Sequence, residues 1–247
     1  DCTPPSPCHV FTNSCTSAGA CVFAPQQGPA CDAGMGVVGT CGPNFTCVPP
    51  VAALFPYTPS NFTEAQLPDA GASLTVMANT TINTNTVPPM VSNALVLPPM
   101  VEIDGGLLFR IDTLTINPGV TLMFTGSRPV IFAVTGDATV GLDAGVVARA
   151  GAGSTDCGGG GTGTQPGNGN CEAGGGGGGF GSAGGVGGQC MGGTRGTAGG
   201  VNGNAALTPL RGGCRGGGTQ TDATLGGPGG GALQLSVSGT LRINGFV

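Results

Sequence analysis

The chain has 247 residues with a formal net charge of −5, and charged residues make up only 8% of it. All seven basic residues are arginines, too few for the basic stripe of a nucleic-acid binder, so no nucleic-acid partner is expected. No apolar run approaches the roughly 18 residues of a transmembrane span, and no basic-then-apolar leader opens the sequence, which reads as a mature product.

Eleven cysteines in so weakly charged a chain point to an oxidising setting, so the protein is expected to be secreted, extracellular or at the cell surface. Cys2, Cys8, Cys15, Cys21, Cys31, Cys41 and Cys47 crowd the start. Residues 1–50 therefore read as a small cysteine-rich module in which disulfides replace a core too small to form alone. Seven is odd, so one of these cysteines is unpaired, linked to the glycine-rich region, or bonded to another chain. Zinc is the competing reading of clustered cysteines. The sequence has no CxxC and its only histidine is His9, so neither a metal nor a cofactor is expected.

Residues 51–150 carry recurrent prolines and then a regular grammar of short apolar strands. Pro56, Pro59, Pro68, Pro88, Pro89, Pro98 and Pro99 exclude long helices. Strands are expected at Leu74, Val76 and Met77, and at Leu95, Val96 and Leu97. More follow at Phe109–Ile111, Leu114–Ile116, Val120–Phe124, Val130–Val134 and Ala138–Leu142, separated by turn sequences such as Asn117-Pro118-Gly119. Such strands fit a β-sandwich or a β-solenoid. The aliphatic alternation and tight turns favour the solenoid, a parallel β-helix. Asn44, Asn61 and Asn79 each begin an N-glycan acceptor sequon.

Residues 151–231 are an 81-residue tract with 36 glycines and with Cys157, Cys171, Cys190 and Cys214 spaced along it. Glycine buries no side chain and loses the most backbone entropy on folding, so such a tract is either a linker or a packed array of extended strands. The cysteines and scattered apolar residues favour antiparallel polyglycine-II-like strands folded back by turns and stapled by disulfides. Residues 232–247 then resume the strand grammar, with Leu233, Leu235 and Val237 alternating against Gln234 and Ser236, and Leu241 against Ile243. The tract is thus an excursion from a coil. All eleven cysteines are disulfide candidates.

The run Leu114-Thr-Ile-Asn-Pro-Gly-Val-Thr-Leu, the glycine runs, Gly231-Ala-Leu-Gln-Leu and Gly239-Thr-Leu-Arg-Ile-Asn-Gly together resemble large glycine-rich secreted proteins of myxobacteria and related gliding bacteria. That resemblance covers roughly residues 102–247 and implies a cysteine-rich module followed by β-helical coils. By composition the glycine tract also resembles the polyglycine-II sandwiches of phage tail-fibre adhesins and snow flea antifreeze proteins. Neither likeness transfers a site residue.

Catalytic chemistry needs placed acids, bases or nucleophiles. Asp104, Asp112, Asp137 and Asp143 are the candidates for a β-helical polysaccharide hydrolase or lyase, since two carboxylates suffice for glycoside cleavage. Asp104, Asp137 and Asp143 adjoin glycines or Ala-Gly in turn-like contexts, which favours structural roles. The expectation is therefore no enzyme and no catalytic residue. The function read from the sequence is an extracellular structural or adhesive protein, a homopolymer assembling head-to-tail into an appendage or filament. The alternative is a monomeric adhesin that recognises cell-surface glycans. Leu233, Leu235, Leu241, Ile243, Phe246 and Val247 are the expected assembly interface, because the final strands show no helix, charged strand or proline to cover them.

Overall fold

A computed structural model describes residues 3–4, 6–32, 38–48, 53–149, 157–165, 171–220 and 226–247. The chain divides into two compact units, Asp1–Ala53 and Leu54–Val247. Among the described residues the regular structure is entirely β, apart from two short 3-10 turns, Pro43–Phe45 and Glu64–Gln66.

The first unit holds two small antiparallel sheets. One joins β1 (His9–Cys15) to β2 (Cys21–Pro25), and the other joins β3 (Ala30–Asp32), β4 (Val38–Cys41) and β5 (Cys47–Val48). Its buried centre is sulfur: Cys8, Cys31 and Cys41 are buried together with Cys47 packed against them. Cys8–Cys41 and Cys31–Cys47 are disulfides, with Cα–Cα separations of 5.1 and 5.8 Å. Cys21 is disulfide-bonded as well. Cys2 and the side chain of Cys15 lie outside what the structure describes.

In the second unit β6 (Ala72–Val76), β7 (Thr80–Asn83), β8 (Met90–Val91) and β9 (Met100–Ile103) precede the long β10 (Gly106–Ile116). Then come β11 (Thr121–Thr125), β12 (Val130–Val134), β13 (Ala138–Val140) and β14 (Gly145–Ala148). After the glycine tract the chain adds β15 (Leu233–Val237) and β16 (Leu241–Ile243).

These strands pair mainly in parallel and in a regular register. Leu107 lies beside Val130, Leu114 beside Ala138 and Thr121 beside Gly145, offsets of 23, 24 and 24 residues. The next step crosses the glycine tract: Val130 pairs with Leu233 and Ala138 with Leu241. The first half of β10 pairs with β12 while its second half pairs with β6 and β13, so the seven-stranded sheet curls along this strand. A four-stranded sheet, β14-β11-β7-β8, contributes to the same core. The described ladders of this unit thus form a curled sheet and a four-stranded one, and show no closed solenoid. The all-β class and parallel stacking are observed, whereas β8 and β9 run antiparallel, which a pure solenoid pattern does not contain.

Alternation, interrupted where the β10 register shifts between Ile111 and Leu114, creates the core, because it sends every second side chain to one face. Leu107, Phe109, Ile111, Leu114, Ile116, Leu122, Phe124, Phe132, Val134 and Val140 are all buried in one cluster. The rings of Phe109, Phe132 and Phe124 meet edge to face at 5.5 and 5.4 Å. Residues 95–97 are not a strand as expected. Instead Asn93 Oδ1 accepts the Leu95 N–H at 3.0 Å, and two prolines follow directly at Pro98 and Pro99.

Side chains at the turns tie each level to the next. Asn79 Oδ1 accepts the Thr121 N–H and Asn85 Oδ1 accepts the Ser127 N–H, both at 2.8 Å. Buried Thr84 donates toward the carbonyls of Thr125 and Arg128 at 3.0 Å each. Gly126 sits beneath it at φ +101°, where a Cβ would collide with Thr84.

The described segments of the glycine tract bond to one another. Runs 157–165, 171–179, 182–189, 193–203, 211–219 and 226–231 lie side by side, joined by backbone hydrogen bonds. The run 174–179 lies between four others. Gly174 and Gly177 donate to Gly188 and Gly185, and Gly176 donates to Gly161. Carbonyls of Gly174 and Gly177 accept from Gly196 and Gly199, while those of Gly176 and Gly179 accept from Gly217 and Cys214. Partners therefore repeat every three residues. The order of pairs makes successive runs antiparallel and, in consequence, sets alternate runs such as 171–179 and 193–203 parallel.

Candidate functional site

The chain has no lysine and few acids, and the four acids singled out by the sequence are placed as follows. Asp104 and Asp143 occupy turns at left-handed φ of 45° and 55°. Asp137 Oδ1 accepts the Thr240 N–H at 2.7 Å, and Asp112 is exposed with its carboxylate close against Gly71. Each acid thus lies at a turn or beside backbone, and no contact in the described residues joins one of them to another.

His9 is half-buried with its Nδ1 at 2.7 Å from Ser6 Oγ, a pairing the sequence alone does not reveal. The same Ser6 hydroxyl accepts the Cys8 N–H at 3.2 Å, so a local turn sets this geometry. The imidazole stacks on Phe45 at 4.3 Å between centroids. Sulfurs of Cys8, Cys31 and Cys41 lie within 4.8 Å of one another. All three are oxidised in disulfides and so are not the thiolates that ligate zinc.

The four tract cysteines pair among themselves, Cys157 with Cys214 and Cys171 with Cys190. The odd cysteine of the first unit is therefore not linked to the glycine region. Among the sequons, Asn44 is exposed at φ 66°, and Asn79 is exposed with its Oδ1 engaged by Thr121. Asn61 Nδ2, the atom a glycan would occupy, instead donates to Gln234 Oε1 at 2.6 Å and to the Leu207 carbonyl at 3.1 Å.

The expected interface residues split into two groups. Leu233 and Leu235 on β15 are half-buried and pack against the core. Leu241, Ile243, Phe246 and Val247 are 43%, 45%, 51% and 58% exposed. Ile243, whose place in the alternation is that of an inward side chain, is thus open. It stands in the column Val76, Ile116, Val140, Ile243, whose first three members are fully buried. Alternation sets the face a side chain points to, but cover also requires a further strand on the outer side of β16, and among the described residues β16 pairs with β13 alone.

The opposite end of the same column carries a feature that sequence reading missed. An open groove of about 550 Å³ runs along β6, lined by Ser73, Thr75, Met77, Leu95 and Val96 among others. Met77 and Val96 are 74% and 84% exposed. A second depression of about 350 Å³ lies over β15, between Tyr57, Ser60, Asn61, Leu207, Gln234 and Ser236.

Among the described residues no helix is long and apolar enough to cross a membrane. Comparison with family models, with curated proteins and with solved structures finds no match to the chain.

Proposed function

We propose that this chain is a non-catalytic, secreted structural or adhesive protein that assembles head-to-tail into a surface appendage or filament. The observation that carries this reading is the apolar edge at β16, where Leu241, Ile243, Phe246 and Val247 are 43–58% exposed in line with fully buried columns. Contiguous exposed apolar side chains beside an unpaired strand edge favour addition of another chain. The disulfides suit an oxidising extracellular location.

In this reading the parallel ladders are coils of a short β-solenoid. The glycine bundle is a polyglycine-II-like array, supported by its three-residue repeat of partners. Its disulfides and dense backbone bonding suit a part that resists unfolding outside the cell. The resemblance to myxobacteria-type glycine-rich secreted proteins agrees with such a role. Electron microscopy of the purified full chain tests it directly: linear polymers are expected, and uniform single particles at every concentration would refute it.

One observation favours a second reading, a monomeric glycan adhesin. Tyr57, 46% exposed, stands beside Ser60, Asn61, Gln234 and Ser236, and an aromatic face with amide and hydroxyl groups is the chemistry that grips sugars. Binding of the full chain to a glycan array, lost in Tyr57→Ala without any change in size, would select this reading over the first.

A further inference from the structure

The strand columns of the second unit do not end alike. The outer edge of β10's first half is covered by antiparallel β9, from Gly106 opposite Ile103 to Phe109 opposite Met100. The outer edge of β7 is covered by antiparallel β8, with Ile82 opposite Val91. β6 pairs with β10 on one side, and among the described residues no strand pairs with its other edge. That edge bounds the groove of about 550 Å³, and the segment carrying Asn93, Leu95 and Val96 forms the opposite wall. Asn93 holds this wall in place by donating from Nδ2 to Thr80 Oγ1 at 2.7 Å.

Each level of the β6 column repeats one pattern in register. Leu74-Thr75-Val76 lies beside Leu114-Thr115-Ile116, then Ala138-Thr139-Val140, then Leu241-Arg242-Ile243. All three junctions are parallel. Among the described residues the column thus ends in an unpaired β16 edge with exposed apolar residues and begins in an unpaired β6 edge within an apolar-walled slot.

We infer that the β6 groove receives β16 of a second copy of this chain, in parallel, with Leu241, Arg242 and Ile243 opposite Leu74, Thr75 and Val76. This rests on the head-to-tail reading above and names the surfaces that would serve it. A one-residue slip would turn Arg242 inward and both apolar residues outward, so the alternation fixes the register. Main-chain bonding along an exposed edge supplies affinity. Because β9 and β8 already cover the flanking columns, the contact is confined to β6. It joins two different surfaces, is heterologous, and propagates when it does not close into a ring.

Cross-linking of the full chain tests this. Neighbouring strands lie about 4.8 Å apart, within the Cα separation of about 4.4–6.8 Å that a disulfide accepts. Thr75→Cys and Arg242→Cys variants, mixed and mildly oxidised, should give a linked dimer containing one of each, several-fold above either variant alone. Ser73→Cys with Thr240→Cys provides a second in-register pair should the first disturb folding. A peptide of residues 238–247 should suppress the link, and a scrambled peptide should not. Wild-type assemblies in solution with no link from either pair would overturn the groove assignment while leaving head-to-tail assembly standing. A monomeric wild-type chain would overturn both. Equal suppression by the scrambled peptide would make the groove a general peptide site and overturn its assignment to a second copy.

Discussion

Asp137 accepts a 2.7 Å hydrogen bond through Oδ1 from the backbone N–H of Thr240, 103 residues further along the chain. The bond fastens the first strands after the glycine tract to the last level before it. Gly231, where the tract returns, lies directly against Ala148, so departure and return are neighbours. Asp137→Ala should lower stability by about 1 kcal/mol, below the roughly 1.5–3 kcal/mol of a bond to a charged group because Asp137 is exposed. Asp137→Asn keeps an acceptor and should recover most of the loss. Equilibrium urea unfolding of the variants measures the difference, and no loss in either would mean that this turn contributes nothing to docking of the returning strands.

Glycine is required at some tract positions and dispensable at others. A Cβ at Gly175, Gly176, Gly178 or Gly179 would collide with the carbonyls of Gly217, Thr197, Cys214 and Gly200. Alanine at any of these should cost at least about 1–3 kcal/mol, because packed backbone cannot rotate aside. At Gly181, Gly185 and Gly188 a Cβ would meet nothing within 4 Å, and none of the three has a positive φ. Alanine there should be neutral or stabilising by up to about 1 kcal/mol through the unfolded chain. Thermal melts of the seven variants, read side by side, check the contrast, and equal effects in both groups would mean that the runs are not in contact.

Much of the fold was legible because alternating side chains carry it. Leu114, Ile116, Leu122, Phe124 and Val140 are buried as their spacing predicts. The partners of Gly174–Gly179 could not be read, since glycine carries no side chain to mark a face and all its bonds here are backbone to backbone. The antiparallel covers β8 and β9 were hidden among prolines that signal only turns, so the groove beside β6 had no signature. Ile243 shows the complementary limit: its pattern is that of a core residue, but its exposure depends on whether another strand lies beyond β16.

Cys157–Cys214 and Cys171–Cys190 close loops with sequence separations of 57 and 19 residues. By chain entropy alone they should contribute about 4 and about 3 kcal/mol. Replacing the first pair with serines should therefore lower the melting temperature of the glycine region more than replacing the second. Hydrogen exchange in the oxidised protein should find Gly174, Gly176 and Gly177 amides protected, since each donates to another run. Complete exchange of these amides within the dead time would identify the tract as a linker.

Ile116 and Ile243 occupy one column but face different surroundings, fully buried and 45% exposed. Ile116→Ala should destabilise the isolated chain by about 2–5 kcal/mol, whereas Ile243→Ala should change it by less than about 1 kcal/mol. Dilute-solution melts separate the two. A large loss at Ile243 in a chain that remains monomeric would mean that the last level is covered after all.

Assembly through the exposed β16 edge is tested most directly by multi-angle light scattering across a concentration series. The wild-type full chain is compared with a variant carrying Leu241→Lys and Ile243→Lys. Head-to-tail association requires the wild-type mass to rise steadily with concentration and the double variant to stay at the 23.7 kDa of one chain. A wild-type chain that holds the mass of one chain at the highest concentration reached would contradict it.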